Sequence, residues 1–174
     1  MPEREGQIPT IVQLTQETAQ YAEKKVFEGS PFKKAVNAIS SKLGAENPQA
    51  REAAQNMVKQ GVEMAISRIR LLPAFSNPDS RKEILDKLKQ DKVEGAWVDI
   101  LANWDVPSDP YGISLLAKCK NKDIEELYFK AKKTKTTQEE EQVKLQAQAI
   151  TKGQDIIINY YREQISSTGI KKAA

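Results

Sequence analysis

The sequence contains no histidine. That removes the side chain most often used as a general base near neutral pH, the Ser/His and Cys/His nucleophile pairs, and the commonest transition-metal ligand. A single cysteine, Cys119, excludes an internal disulfide and a thiolate cluster. Aromatic residues make up only 6% of the chain, and the glycines are scattered, with no phosphate-cradling loop. No apolar run reaches the roughly 18 residues of a membrane-spanning helix, and the N-terminal stretch MPEREGQIPT lacks the apolar core of a signal peptide. These absences lead us to expect a non-enzymatic protein that holds neither metal nor cofactor.

What is present suits a folded chain. Of 174 residues, 39% are hydrophobic and 29% charged, enough to bury one core or one core plus an extended arm. Lys and Arg number 27 against 24 Asp and Glu, a net charge of only +3. Any affinity for a polyanion must therefore come from where the charges sit.

Helix punctuation is the clearest pattern. Proline suits the first helical position, where its missing N–H had no partner to lose, and a preceding Ser, Asn or Asp can cap the free amides. The chain repeats this at Ser30-Pro31, Asn47-Pro48, Asn77-Pro78 and Asp109-Pro110, with Gly29 and Gly44 placed as left-handed helix stops. Apolar stripes agree. Ile11, Leu14, Thr18 and Tyr21 mark a helix over about 10–28, and Phe32, Ala35, Val36, Ile39 and Leu43 mark the next. A third, over 48–72, carries a stripe of mostly small residues that would let a partner approach its backbone, with Pro73 predicted to end it.

A fourth helix follows Asn77-Pro78. After a bend near Gly95, Trp97, Val98, Leu101 and Trp104 form a short aromatic face. Asp109-Pro110 leads into a helix bearing Tyr111, Leu115, Leu116 and Cys119, and Asn121 or Asp123 starts another. A solvated loop at 132–136 precedes Thr137 and Glu140, whose spacing is that of a capping box opening a helix to about Ile165. Val143, Ala147, Ile150, Ile157, Tyr161 and Ile165 mark its buried face. The predicted class is all-α.

Few residues suggest chemistry. Cys119 sits at helical spacing from Leu115 and Leu116, so it reads as core. Glu139, Glu140 and Glu141 fall in a helix's first turn, where they complement the macrodipole. Asp99, Asp105 and Asp109 could converge, but Asp109 already serves as a cap. Trp97 and Trp104, seven apart, share a helix face and read as core or subunit interface.

The basic residues carry more. Lys24 to Arg70 holds nine Lys/Arg against four Glu, and Lys118 to Lys135 holds seven Lys against three acids. Lys33, Lys34, Lys59 and Arg70 lie off the apolar stripes. Neither cluster looks like a base-reading motif, so contact with phosphates independent of sequence is the form to expect. The candidate DNA-binding residues are Lys33, Lys34, Lys42, Arg51, Lys59, Arg68 and Arg70, followed by Arg81, Lys82 and Lys89.

The string Leu72-Pro73-Ala74-Phe75-Ser76-Asn77-Pro78, followed by the Val98–Ala117 stretch with its Asp109-Pro110-Tyr111-Gly112 turn, resembles the major coat proteins of rod-shaped and filamentous archaeal viruses, the rudiviruses and lipothrixviruses. The resemblance covers roughly residues 48–120. It implies an N-terminal helical arm, residues 1–95, wrapping double-stranded DNA held in the A form, and a C-terminal bundle, 96–174, forming the outer wall. It further implies an intertwined dimer with a second copy or a paralogous coat protein, in a helical virion. The length and long last helix suit the enveloped members, which adds a lipid envelope to the implied partners. The alternative is a soluble helical-bundle adaptor or regulator with no nucleic-acid role. The two differ in whether the first three helices stand away from the C-terminal half or fold back on it.

Overall fold

The computed structural model describes residues 10–44, 47–92, 96–131 and 137–166. Among them are seven α-helices and no strand, so the chain is all-α. The helices are α1 (Ile11–Lys24), α2 (Ser30–Gly44), α3 (Pro48–Ser76), α4 (Pro78–Gln90), α5 (Ala96–Ala102), α6 (Ile113–Ala131) and α7 (Thr137–Ile165).

Local chemistry explains most boundaries. Thr10 and Gln13 form a reciprocal capping box at the start of α1, with Thr10 Oγ1 accepting from the Gln13 amide at 3.1 Å and Gln13 Oε1 accepting from the Thr10 amide at 2.8 Å. The single helix expected over 10–28 is broken at Lys25 by a 3₁₀ turn, Val26–Glu28, in which Val26 is fully buried. Asn47 and Asn77 cap α3 and α4 as their Asn-Pro pairs predict. Gly44 has φ 106°, the left-handed stop expected of it, whereas Gly29 is extended at φ −81°.

Further regions differ from the sequence reading, beginning with α2, whose first residue is Ser30 itself rather than a residue that Ser30 caps. Asp109-Pro110 does not place proline at the first turn of α6: Gly112, at φ 71°, delays the helix to Ile113, and Asp109 Oδ2 accepts from the Leu115 amide at 3.0 Å across the intervening turn. That helix then runs unbroken to Ala131, so neither Asn121 nor Asp123 starts a new one. Pro73 likewise fails to end α3, which continues to Ser76. Proline there deprives the Ile69 carbonyl of its helical donor. The Thr15 hydroxyl of α1 donates to that carbonyl instead, at 3.4 Å.

The frame of the fold is α3 against α7, its most extensive helix pair. The two run parallel in register, since Ala54 and Val58 share an apolar cluster with Ala149 while Ile69 and Leu72 share another with Ile157 and Tyr161. Their backbones meet at Gly61 and Gly153, where a methyl group on either would collide with the Ile150 or the Val58 carbonyl oxygen. The small-residue stripe of α3 thus receives a helix of its own chain. The larger core cluster draws Leu14 and Val26, Val62 to Phe75, Leu101 and Trp104, and Leu115 to Ile165, so it takes residues from both sides of residue 95. Of the helices assigned to an arm, α1, α2 and α3 pack on α7, whereas α4 packs on α3 and α5.

Candidate nucleic-acid interface

The ten candidate cations fall into three settings. On α2 and the first half of α3, Lys33, Lys34, Lys42, Arg51 and Lys59 are all exposed. The apolar stripe of α2 (Phe32, Ala35, Val36, Ile39) turns inward, which leaves Lys33 and Lys34 on the outer side. Arg51 Nη1 donates to Asn37 Oδ1 at 3.0 Å and ties α3 to α2 through an uncharged acceptor. Lys59 stands 5.6 Å from the Phe27 ring centroid, and Phe27 in turn meets Phe32 edge to face. Lys42 Nζ donates to Gln148 Oε1 at 2.6 Å, across a groove that Glu141 and Lys144 also line. Among the described residues no carboxylate forms an ion pair with any of these five cations.

Arg68, Arg70 and Arg81 are spent within the fold. Arg68 is nearly buried, with Nη2 2.7 Å from Asp123 Oδ1 and Nη1 donating to the Met64 carbonyl at 3.0 Å. Gln154 Nε2 completes the site by donating to Asp123 Oδ2 at 2.8 Å. Burial pushes the Asp123 carboxyl up, against the pull of Arg68. The pair therefore ties α6 to α3 at a cost in desolvation. Arg70 pairs with Glu23 at 2.8 Å on the surface. Arg81 Nη2 donates to the Leu101 and Ala102 carbonyls at 2.7 and 2.6 Å, satisfying the open C-terminal end of α5. In the third setting, Lys82 and Lys89 are exposed on α4.

The second lysine cluster differs in kind. Lys120 is 2.6 Å from Asp155 on α7, and Lys122 is 3.3 Å from Glu125. Lys118 lines a cleft with Asp99, Asp105 and Asp109, while Lys130 is exposed. Lys132, Lys133 and Lys135 lie outside the described residues.

Sequence reasoning missed the Arg68–Asp123–Gln154 group. A signal existed: Asp123 falls four residues after Cys119 on the buried stripe of α6, and Gln154 falls between Ile150 and Ile157 on that of α7. Cys119 itself is buried in the core, its thiol pushed up to about 11 by burial. Trp104 is buried, its Nε1 donating to the Asp109 carbonyl at 3.0 Å. The side chain of Trp97 lies outside the described residues. No group of three or more His, Cys, Asp or Glu residues among those described could hold a metal ion, and no described helix is long and apolar enough to cross a membrane. No protein-family model, no curated protein and no solved structure matches this chain.

Proposed function

We propose that this protein is a structural, non-enzymatic coat subunit that binds double-stranded DNA through sequence-independent phosphate contacts and packages it in a helical virion. The observation that carries the reading is the set of five exposed cations on α2 and the first half of α3, with no carboxylate paired to them among the described residues. Phosphates bound there would release counterions without first breaking an intramolecular ion pair. The resemblance of residues 48–120 to archaeal viral coat proteins supplies the biological setting, with a second copy or a paralogous chain as partner and a lipid envelope as the outermost layer.

In such an assembly α1–α3 would leave α7 to wrap the duplex, exchanging the Gly61–Gly153 crossing for contacts with DNA and a neighbouring subunit. A second reading has its own support, because these helices close on α7 around a shared core in the single chain. On that reading the protein is a self-contained helical adaptor with no nucleic-acid role. Size-exclusion chromatography with and without duplex DNA, followed by negative-stain microscopy, separates the two. Coelution with DNA and filaments is the expected result. A monomer peak unmoved by DNA at low salt favours the adaptor and overturns the proposal.

A further inference from the structure

Helix α4 is the least embedded of the longer helices. None of its residues is buried, and Ile84, Leu85 and Leu88 are only half-covered. Between α4 and the loop after α5 lies a cleft of about 670 Å³. Phe75 and Trp104 form its base, and Leu85, Val106 and Pro107 extend the apolar wall. The volume is in the range of small-molecule sites, and apolar walls with few polar groups are their usual lining.

The rim gives the cleft its chemical selectivity. Arg81 is held on the Leu101 and Ala102 carbonyls, and the Asp105 carboxylate accepts from the Ser108 hydroxyl at 2.6 Å. The remaining charges at the mouth are Lys82, Asp86 and Lys89, all exposed, and no described carboxylate forms an ion pair with either lysine. Two ammonium groups thus flank a single carboxylate on the face of α4 turned to the cleft. An apolar body would cover surface that no described side chain covers, and an anionic head would meet Lys82 and Lys89 in a charge-assisted hydrogen bond.

We propose that this cleft is a binding site for an amphipathic anion, an alkyl or aryl carboxylate or phosphate, with its apolar part on Phe75, Leu85, Trp104, Val106 and Pro107 and its head at the Lys82/Lys89 rim. The site stands apart from the α2–α3 cations and does not depend on them.

Trp104 supplies the reporter. In the full chain carrying Trp97→Phe it is the sole indole, and its emission is followed while dodecanoate or dodecyl phosphate is added below micelle-forming concentrations. Both are expected to give a saturable shift, whereas dodecyltrimethylammonium, with the same tail and the opposite charge, should bind roughly tenfold more weakly. Acetate and inorganic phosphate alone should give no shift. Lys82→Gln with Lys89→Gln should remove the preference for the anion while leaving the fold intact by circular dichroism. A response to dodecanoate without preference over the cation would overturn the proposal. So would saturation by inorganic phosphate, or displacement of the amphiphile by duplex DNA that is abolished with the same two lysines. If Trp97→Phe does not fold, calorimetry on the unaltered chain reads the same comparison.

Discussion

Two lysine-rich regions of similar composition meet different fates in this fold. On α6, Lys120 and Lys122 are matched by Asp155 and Glu125, and Lys118 stands beside an acidic cleft. On α2 and the first half of α3, Lys59 stands by the Phe27 ring, Lys42 and Arg51 bond to the amides of Gln148 and Asn37, and Lys33 and Lys34 are exposed. A cation's worth to a polyanion depends on what it must give up to bind. Lys120 and Lys122 of α6 would surrender charged partners, and the cations of α2–α3 would not. Counting charges along the sequence treats both regions alike; three-dimensional pairing distinguishes them.

The sharpest way to break this comparison is through Arg68, which belongs to the basic stretch by sequence and to the interior by position. Asp123→Ala would remove the carboxylate that faces its nearly buried guanidinium, at an expected cost of about 3–5 kcal/mol in chemical denaturation. Replacing both, as Arg68→Met with Asp123→Leu, should recover most of that stability and leave DNA affinity unchanged. A fall in DNA affinity in the folded double variant would return Arg68 to the interface.

How far the sequence reveals such things depends on the range of the interaction. Asn47 and Asn77 were legible as caps because each acts on amides two or three residues away. Arg68 looked like surface because its acid is 55 residues distant. Pro73 looked like a stop for the same reason, since the hydroxyl that serves the orphaned Ile69 carbonyl comes from Thr15, 54 residues earlier. The small stripe of α3 announced a close approach, but nothing local identified α7 as the helix received there. Gly112 shifted the start of α6 beyond a proline that, on local rules, belonged in its first turn.

A smaller effect is expected where Thr15 serves the carbonyl that Pro73 leaves open. Thr15→Val should destabilise by about 1–2 kcal/mol, the cost of an unpaired buried carbonyl. In a Pro73→Ala background, where residue 73 regains its own N–H, the cost should shrink. Equal costs in both backgrounds would show that Thr15 acts by packing alone.

Cys119 gives the mildest effect. Because burial raises its thiol from 9.0 to about 11, the folded state favours the protonated form. The resulting stabilisation is complete below pH 9 and fades as pH rises towards 11. At a pH of about 8, iodoacetamide should leave the native chain unmodified and alkylate it readily in denaturant. Rapid alkylation of the folded chain would place Cys119 outside the core.

The measurement that bears most directly on the division between the two basic regions is the salt dependence of duplex DNA binding in two matched variants. One carries Lys33→Gln and Lys34→Gln, exposed and without an ion pair among the described residues; the other carries Lys120→Gln and Lys122→Gln, the two lysines that Asp155 and Glu125 hold. The first should bind more weakly, its log-affinity against log-salt slope becoming shallower by up to roughly 0.9 for each phosphate no longer neutralised. The second should stay near the unaltered chain. A shallower slope in the second variant with none in the first, or binding by the unaltered chain that is indifferent to salt, would contradict the account.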